Sequence, residues 1–203
     1  SAIAFRFKAG PERTSHAIIG NAVEAKYGLT RAQLLEAYSL AKEKGVKHFY
    51  LHTMVASNEL NADYIVETAR MLFILVKEIK EKCKVDIEAV DLGGGVGIPY
   101  RPTDDRIEWS ILGERIGALY SEMIEKEGLG PLKITFECGR AITGPYGYLV
   151  STVRHVTSKY KDYVGLDACM ADLMRPALYG SYHHITVLGK SKAEKDHKYD
   201  VTG

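Results

Sequence analysis

Cysteine is scarce in this 203-residue chain, and its placement excludes two classes of protein. Cys83, Cys138 and Cys169 stand far apart and are odd in number. They suit neither a disulfide framework nor the paired spacing of a zinc site, so a reduced, cytoplasmic setting without a metal centre is expected. Long apolar runs are missing too. The longest, MLFILV at 71–76, is far too short to span a bilayer. The opening SAIAFRFKAG has neither the apolar core nor the small-residue cleavage site of a secretory signal. Charge of one sign is also lacking: the formal net charge is +1, so bulk charge points to neither nucleic acid nor a membrane as partner. No internal repeat and no low-complexity segment is visible. With 46% hydrophobic and 26% charged residues, what remains is an ordinary globular composition, long enough for a sizeable core.

What the chain does have is an alternation. AIAFRF (2–7), KHFYLHT (47–53), IEAVDL (87–92) and KITFEC (133–138) read as strands. Helical patterns lie between them. TRAQLLEAYSLAKEKG opens with Thr30 and Gln33 at capping-box spacing and closes at Gly45, with Leu34, Leu35, Tyr38 and Ala41 on its apolar face. A second pattern covers 61–82, with Ile65, Ala69, Leu72, Val76 and Ile79 aligned. A third covers 109–127, with Leu112, Ile116, Leu119, Tyr120 and Met123. Strands separated by long helices predict a parallel α/β sheet. After residue 145 the texture changes. YGYLVSTVRHVTSKYKDYVGLDA and SYHHITVL read as strands with no helix between them, and GKSKAEKDHK (189–198) as a solvated loop. A closed (β/α)8 barrel takes about 250 residues, so four βα strands make either a small open sheet or part of a barrel.

Ligand sites in parallel α/β folds lie at the carboxyl ends of the strands. One such end carries Gly93, Gly94, Gly95 and Gly97. Bare backbone of this kind suits a tight turn, or a nest of N–H groups around a phosphate. The run matches neither the dinucleotide fingerprint nor a Walker loop, since no G-K-[ST] follows. The next strand end, TFECGR, offers Glu137 and Arg140, either as ligand-facing charges or as a structural ion pair. His52 lies near the end of the strand before the glycine-bearing one, where a lone histidine also suits a rim position. Cys138 reads as buried filler rather than a nucleophile.

At these strand ends the sequence resembles the fold-type III pyridoxal-phosphate decarboxylases, and the diaminopimelate decarboxylases most closely. The likeness runs in register through FRFKAG, EAKYGL, DLGGGVGIPY, ECGR and DACMADLMRPALYGSYHHI. Cys138 replaces the family's proline in E-P-G-R. Cys169 and Ala171 replace the glycine and asparagine of its D-A-G-M-N-D. The resemblance implies a pyridoxal 5'-phosphate cofactor held by Gly93, Gly94, Gly95, Gly139, Arg140 and Ser57. Glu137 would pair with the pyridine nitrogen, and His52 would stack on the ring. Arg140, Arg175 and Tyr179 would bind substrate, the last two at its distal carboxylate. The implied reaction is decarboxylation of meso-2,6-diaminopimelate to L-lysine and CO2, by a homodimer. The alternatives are an ornithine, arginine or carboxynorspermidine decarboxylase, or a non-catalytic cofactor-binding module. The family's Schiff-base lysine, in Y-x-x-K, and its C-E-S-G-D motif have no counterpart here. The expectation is therefore an internal segment of a longer enzyme, inactive alone. Residues 1–145 would be the second half of a partial (β/α)8 barrel, and 146–203 the start of an all-β domain.

Overall fold

The strand and helix patterns become a parallel sheet in the structure, a computed structural model that describes residues 1–10 and 26–203. Part of EAKYGL, and all of 11–25, lies outside the described residues. Strands β1 (Ala2–Phe7), β2 (His48–Thr53), β3 (Ile87–Asp91) and β4 (Lys133–Thr135) stand in the order β1-β2-β3-β4, every pair parallel. Helices α1 (Arg31–Glu43), α2 (Ala62–Cys83) and α3 (Trp109–Tyr120) connect them.

Local chemistry sets these elements. Thr30 caps α1 as a true capping box: its Oγ1 accepts from the Gln33 N–H at 3.4 Å, and the Gln33 side chain accepts from the Thr30 N–H at 3.0 Å. Asn61 caps α2 by accepting from the Asp63 N–H, and Lys84 closes that helix in the left-handed region. The aligned residues of α2 are all buried, and Val66, Met71, Phe73 and Leu75 widen that face. Each large side chain buried this way is worth about 1.5–3 kcal/mol. Tyr38 is fully buried, and its hydroxyl donates to the Tyr50 carbonyl at 2.7 Å. Burial pushes that hydroxyl far above the ordinary tyrosine range.

The third helix departs from its pattern. It ends at Tyr120, and Ser121–Glu125 form a π-helical turn in which the Lys126 N–H reaches the Ser121 carbonyl. Strand β4 is shorter than KITFEC suggests, because the chain turns at Cys138 into a short helix, α4 (Gly139–Thr143).

Two units compose the chain: Ser1–Ile98 with Asp105–Pro145, and Pro99–Asp104 with Tyr146–Gly203. In the second, β5 (Val153–Ser158) and β6 (Asp162–Leu166) are antiparallel, and β7 (Asp200–Thr202) joins β6 in parallel. Here the all-strand reading needs correction. RPALY forms a short helix, α5 (Arg175–Tyr179), begun by proline's fixed φ and closed by Gly180 at φ 60°. SYHHITVL is not a strand. Among the described residues no neighbour offers it a ladder, and Ile185, Val187 and Leu188 stay exposed. The 189–198 stretch is irregular, as expected of a loop, but it has a strand on its carboxyl side only.

Candidate active site

Sheet register builds the site. Arg6, His52 and Asp91 are paired across β1, β2 and β3, and Asp91 is paired with Thr135 on β4. Parallel strands thus bring one layer of polar residues to their carboxyl ends. Thr53, fully buried one residue on, donates its hydroxyl to the Phe7 carbonyl at 3.1 Å and ties β2 to β1.

His52 and Glu137 meet there, with imidazole Nε2 3.5 Å from carboxylate Oε2. The Glu137 side chain is 56% exposed and that of His52 23%, but the His52 Nε2 atom itself is buried. Asp91 completes a group whose donor atoms all lie within 4.8 Å of one another. Sequence reasoning gave Asp91 no role. Its signal was a carboxylate ending a buried strand two residues before a turn, and Asp91 Oδ1 indeed accepts from the Gly93 N–H at 2.8 Å.

The glycine loop corrects one expectation. A Cβ on Gly93 would lie 2.3 Å from the Thr53 carbonyl oxygen, one on Gly94 2.6 Å from that of Glu137, and one on Gly95 2.3 Å from that of Ala56. These glycines let the loop lie backbone to backbone against the segments that follow β2 and β4. The Glu137 N–H donates to the Gly93 carbonyl (2.9 Å), the Glu59 N–H to that of Gly95 (2.7 Å), and the Gly97 N–H to that of Glu59 (2.8 Å). The Gly94 N–H faces Met54 Sδ at 3.1 Å. With Gly93 and Gly94 engaged inside the protein, the three consecutive N–H groups do not form the open nest that the sequence suggested; among the described residues only that of Gly95 meets no acceptor. Gly95 is also held at φ 96°, which favours glycine on conformational grounds alone.

The remaining residues divide between the two units. Ser57 is half-buried in the loop after β2, next to Ala56 and so close to Gly95. Gly139 and Arg140 open α4, separated from Glu137 by Cys138 alone. Cys138 is half-buried rather than fully buried, and that burial pushes its thiol up, with the Asp91 and Glu137 charges adding to the effect. Arg175 and Tyr179 lie on α5 in the second unit. There the Arg175 guanidinium contacts Tyr100, and Tyr179 is 57% exposed.

A parallel sheet whose carboxyl edge gathers an imidazole, a carboxylate and a glycine turn defines an α/β protein with a candidate small-ligand site at that edge. The chain belongs to the pyridoxal-dependent decarboxylases: the sequence model of their pyridoxal binding domain matches residues 1–144. It is 31% identical over 194 residues to diaminopimelate decarboxylase of Methanothermobacter thermautotrophicus, covering 96% of this chain and 45% of that protein. It is 35% identical over 185 residues to Protein TabA of Pseudomonas amygdali pv. tabaci, covering 91% and 43%. Among solved structures, diaminopimelate decarboxylase from Helicobacter pylori complexed with L-lysine superposes with a TM-score of 0.79 at 27% identity, over 95% of this chain and 47% of that one. The chain spans a little under half the length of the relatives it matches. The residues at the strand ends fit the family's cofactor: a carboxylate suits a protonated pyridine nitrogen, and an adjacent imidazole suits the face of a planar ring.

Proposed function

We propose that this chain is the corresponding stretch of a PLP-dependent carboxy-lyase that converts meso-2,6-diaminopimelate to L-lysine and CO2. The meeting of His52, on β2, with Glu137, just past β4, across the end of β3, in a chain of this family, is the observation that carries the reading. The diaminopimelate decarboxylases among its relatives support the substrate. Residues 1–145 then belong to one half of a (β/α)8 barrel, and 146–203 begin a β-rich carboxyl-terminal domain. The working enzyme is a cytoplasmic homodimer. No helix among the described residues is long and apolar enough to cross a membrane.

When bound, pyridoxal 5'-phosphate supplies an electron-withdrawing ring to the carbon that loses CO2. Glu137 holds the proton on the ring nitrogen, and a carboxylate is needed because an amide would let that proton go. His52 covers one ring face. Gly95, Ser57, Gly139 and Arg140 would hold the phosphate, and Gly93 and Gly94, their N–H groups engaged within the protein, would fix the loop that presents Gly95. Arg140, Arg175 and Tyr179 bind the substrate. Arginine suits a carboxylate because its planar fork makes two parallel hydrogen bonds.

The test is CO2 release from carboxyl-labelled meso-diaminopimelate in the presence of PLP, on this chain and on the complete gene product that carries it. Release by the complete product alone is expected. Preference for ornithine or arginine would transfer the assignment to those decarboxylases. Turnover by the 203-residue chain, abolished by one Lys→Ala change, would place the catalytic lysine within it and overturn the inactive-segment reading. In the active protein, Arg175→Ala should weaken diaminopimelate binding by about 2–5 kcal/mol while PLP binding holds.

A further inference from the structure

Within the second unit, Arg175 is held before any ligand arrives. Its Nη1 donates to Tyr100 Oη at 3.0 Å and contacts His183 Nε2 at 3.3 Å. One terminal nitrogen carries two hydrogens, and here two acceptors meet it. His183 accepts only as the neutral ring with its proton on Nδ1. The Tyr100 and His183 rings pack edge to face, centroids 5.1 Å apart at 76°, and the guanidinium carbon lies 5.3 Å from the Tyr100 centroid. The opposite edge of the guanidinium, Nε with Nη2, meets no acceptor among the described residues. That edge is the one that takes a carboxylate through two parallel hydrogen bonds.

Tyr100 comes from GIPYR, three residues after the last glycine of the loop. Pro99 and Tyr100 nevertheless belong to the second unit. Within that unit the Tyr100 hydroxyl limits Arg175.

We propose that Tyr100, assisted by His183, is a positioning residue: it immobilises Nη1 of Arg175 and thereby presents the Nε/Nη2 edge to the distal carboxylate of the substrate. This rests on the role given to Arg175 under the proposed function. The physical gain is preorganisation. A free arginine side chain must lose rotamer freedom on binding, whereas a held one has lost it already. Tyr100 touches neither the reacting carbon nor the cofactor in this scheme, so it acts on substrate affinity alone.

The experiment is a double-mutant cycle in the complete PLP-loaded protein, with KM and kcat for meso-diaminopimelate measured for Tyr100→Phe, Arg175→Ala and the pair. Tyr100→Phe keeps the ring and removes only the acceptor oxygen. It should raise KM about tenfold, the scale of one hydrogen bond to a charged group, with kcat and PLP affinity unchanged. The pair should be no worse than Arg175→Ala alone, and His183→Gln, which keeps an acceptor, should lie closer to the unaltered protein than His183→Ala. Additive losses, or a matching fall in PLP affinity, would make Tyr100 a merely structural residue and overturn the proposal. An unchanged KM in Arg175→Ala, or no turnover of diaminopimelate by the unaltered protein, overturns the functional reading and the ligand named here. The hold itself is then judged without substrate, from nitrogen-15 spectra of the Arg175 guanidinium. Slowed rotation about Cζ–Nη1 that is lost in Tyr100→Phe supports it, and free rotation in the unaltered protein overturns it.

Discussion

Cys138 reports on the charges around it. Burial raises its thiol, and Asp91 and Glu137 push in the same direction, so at neutral pH it is almost entirely protonated. Alkylation by iodoacetamide at pH 7–8 should therefore be slower at Cys138 than at the exposed Cys169. Glu137→Gln removes one opposing charge, lowers the thiol's pKa and should speed alkylation at Cys138 while leaving Cys169 alone. Site-resolved mass spectrometry reads both rates, and an unchanged Cys138 rate would mean the carboxylate does not reach it. At this scale much was legible. Glu137 and Arg140, a carboxylate and a guanidinium at one strand end, were visible as poor core material before any geometry was known, whereas His52 read as readily as a rim residue. The part played by Asp91 was not visible, because an aspartate before glycines also reads as an ordinary turn former. Nor could sequence tell which acceptors the Gly93 and Gly94 N–H groups would find, since those come from Asp91 and from Met54, on a neighbouring strand end.

Two glycines of similar appearance have opposite meanings once their elements are known. Gly95 sits in the loop after β3 at φ 96°, with the Ala56 carbonyl where a Cβ would go. Gly95→Ala should cost at least about 1–3 kcal/mol, from backbone strain and displacement of the loop after β2. Gly113 lies inside α3 with nothing within 4 Å of its would-be Cβ. Gly113→Ala should stabilise by about 0.5–1 kcal/mol, because alanine loses less backbone entropy in a helix. Urea midpoints of the two variants check both signs at once. The periodic elements could be read from sequence because burial imposes their period: α2 shows its buried face in every turn. The π-helical turn after Tyr120 could not, since the apolar positions Tyr120 and Met123 continue the α-helical spacing while the hydrogen bonding changes. SYHHITVL failed for a different reason. Strand propensity needs a partner strand, and propensity alone does not supply one.

On the scale of the whole chain, the second unit leans on ionised carboxylates at its surface. Asp167 Oδ1 accepts from the Ser151 hydroxyl at 2.7 Å and the Thr152 N–H at 2.8 Å, which hold its carboxyl below the usual aspartate range. Asp162 is lowered likewise by Ser158 and His197. A carboxyl group depressed in the folded state contributes its stability above the unfolded value of 3.8 and loses it as pH falls through the lower folded value. Amide protection in β5 and β6, corrected for intrinsic exchange, should therefore decline as pH drops below 3.8. Asp167→Asn keeps an acceptor but cannot titrate, and should flatten that decline. Undiminished acid sensitivity in the variant would assign it to other groups. The change of texture after residue 145 was legible because alternating strand and helix patterns stop there. That six residues upstream, Pro99–Asp104, belong with the later unit was not, because membership is decided by tertiary contacts that leave no period in the sequence. The chain therefore passes between its units three times, and this has a bearing on inheritance. A recombination joint at Pro145 would transplant the parallel sheet together with six residues whose partners stay behind, and would deliver the carboxyl-terminal portion without Tyr100. Exchange of this region between genes should succeed only when both sides of the joint travel together, so the two units are expected to share one ancestry rather than to circulate as separate modules.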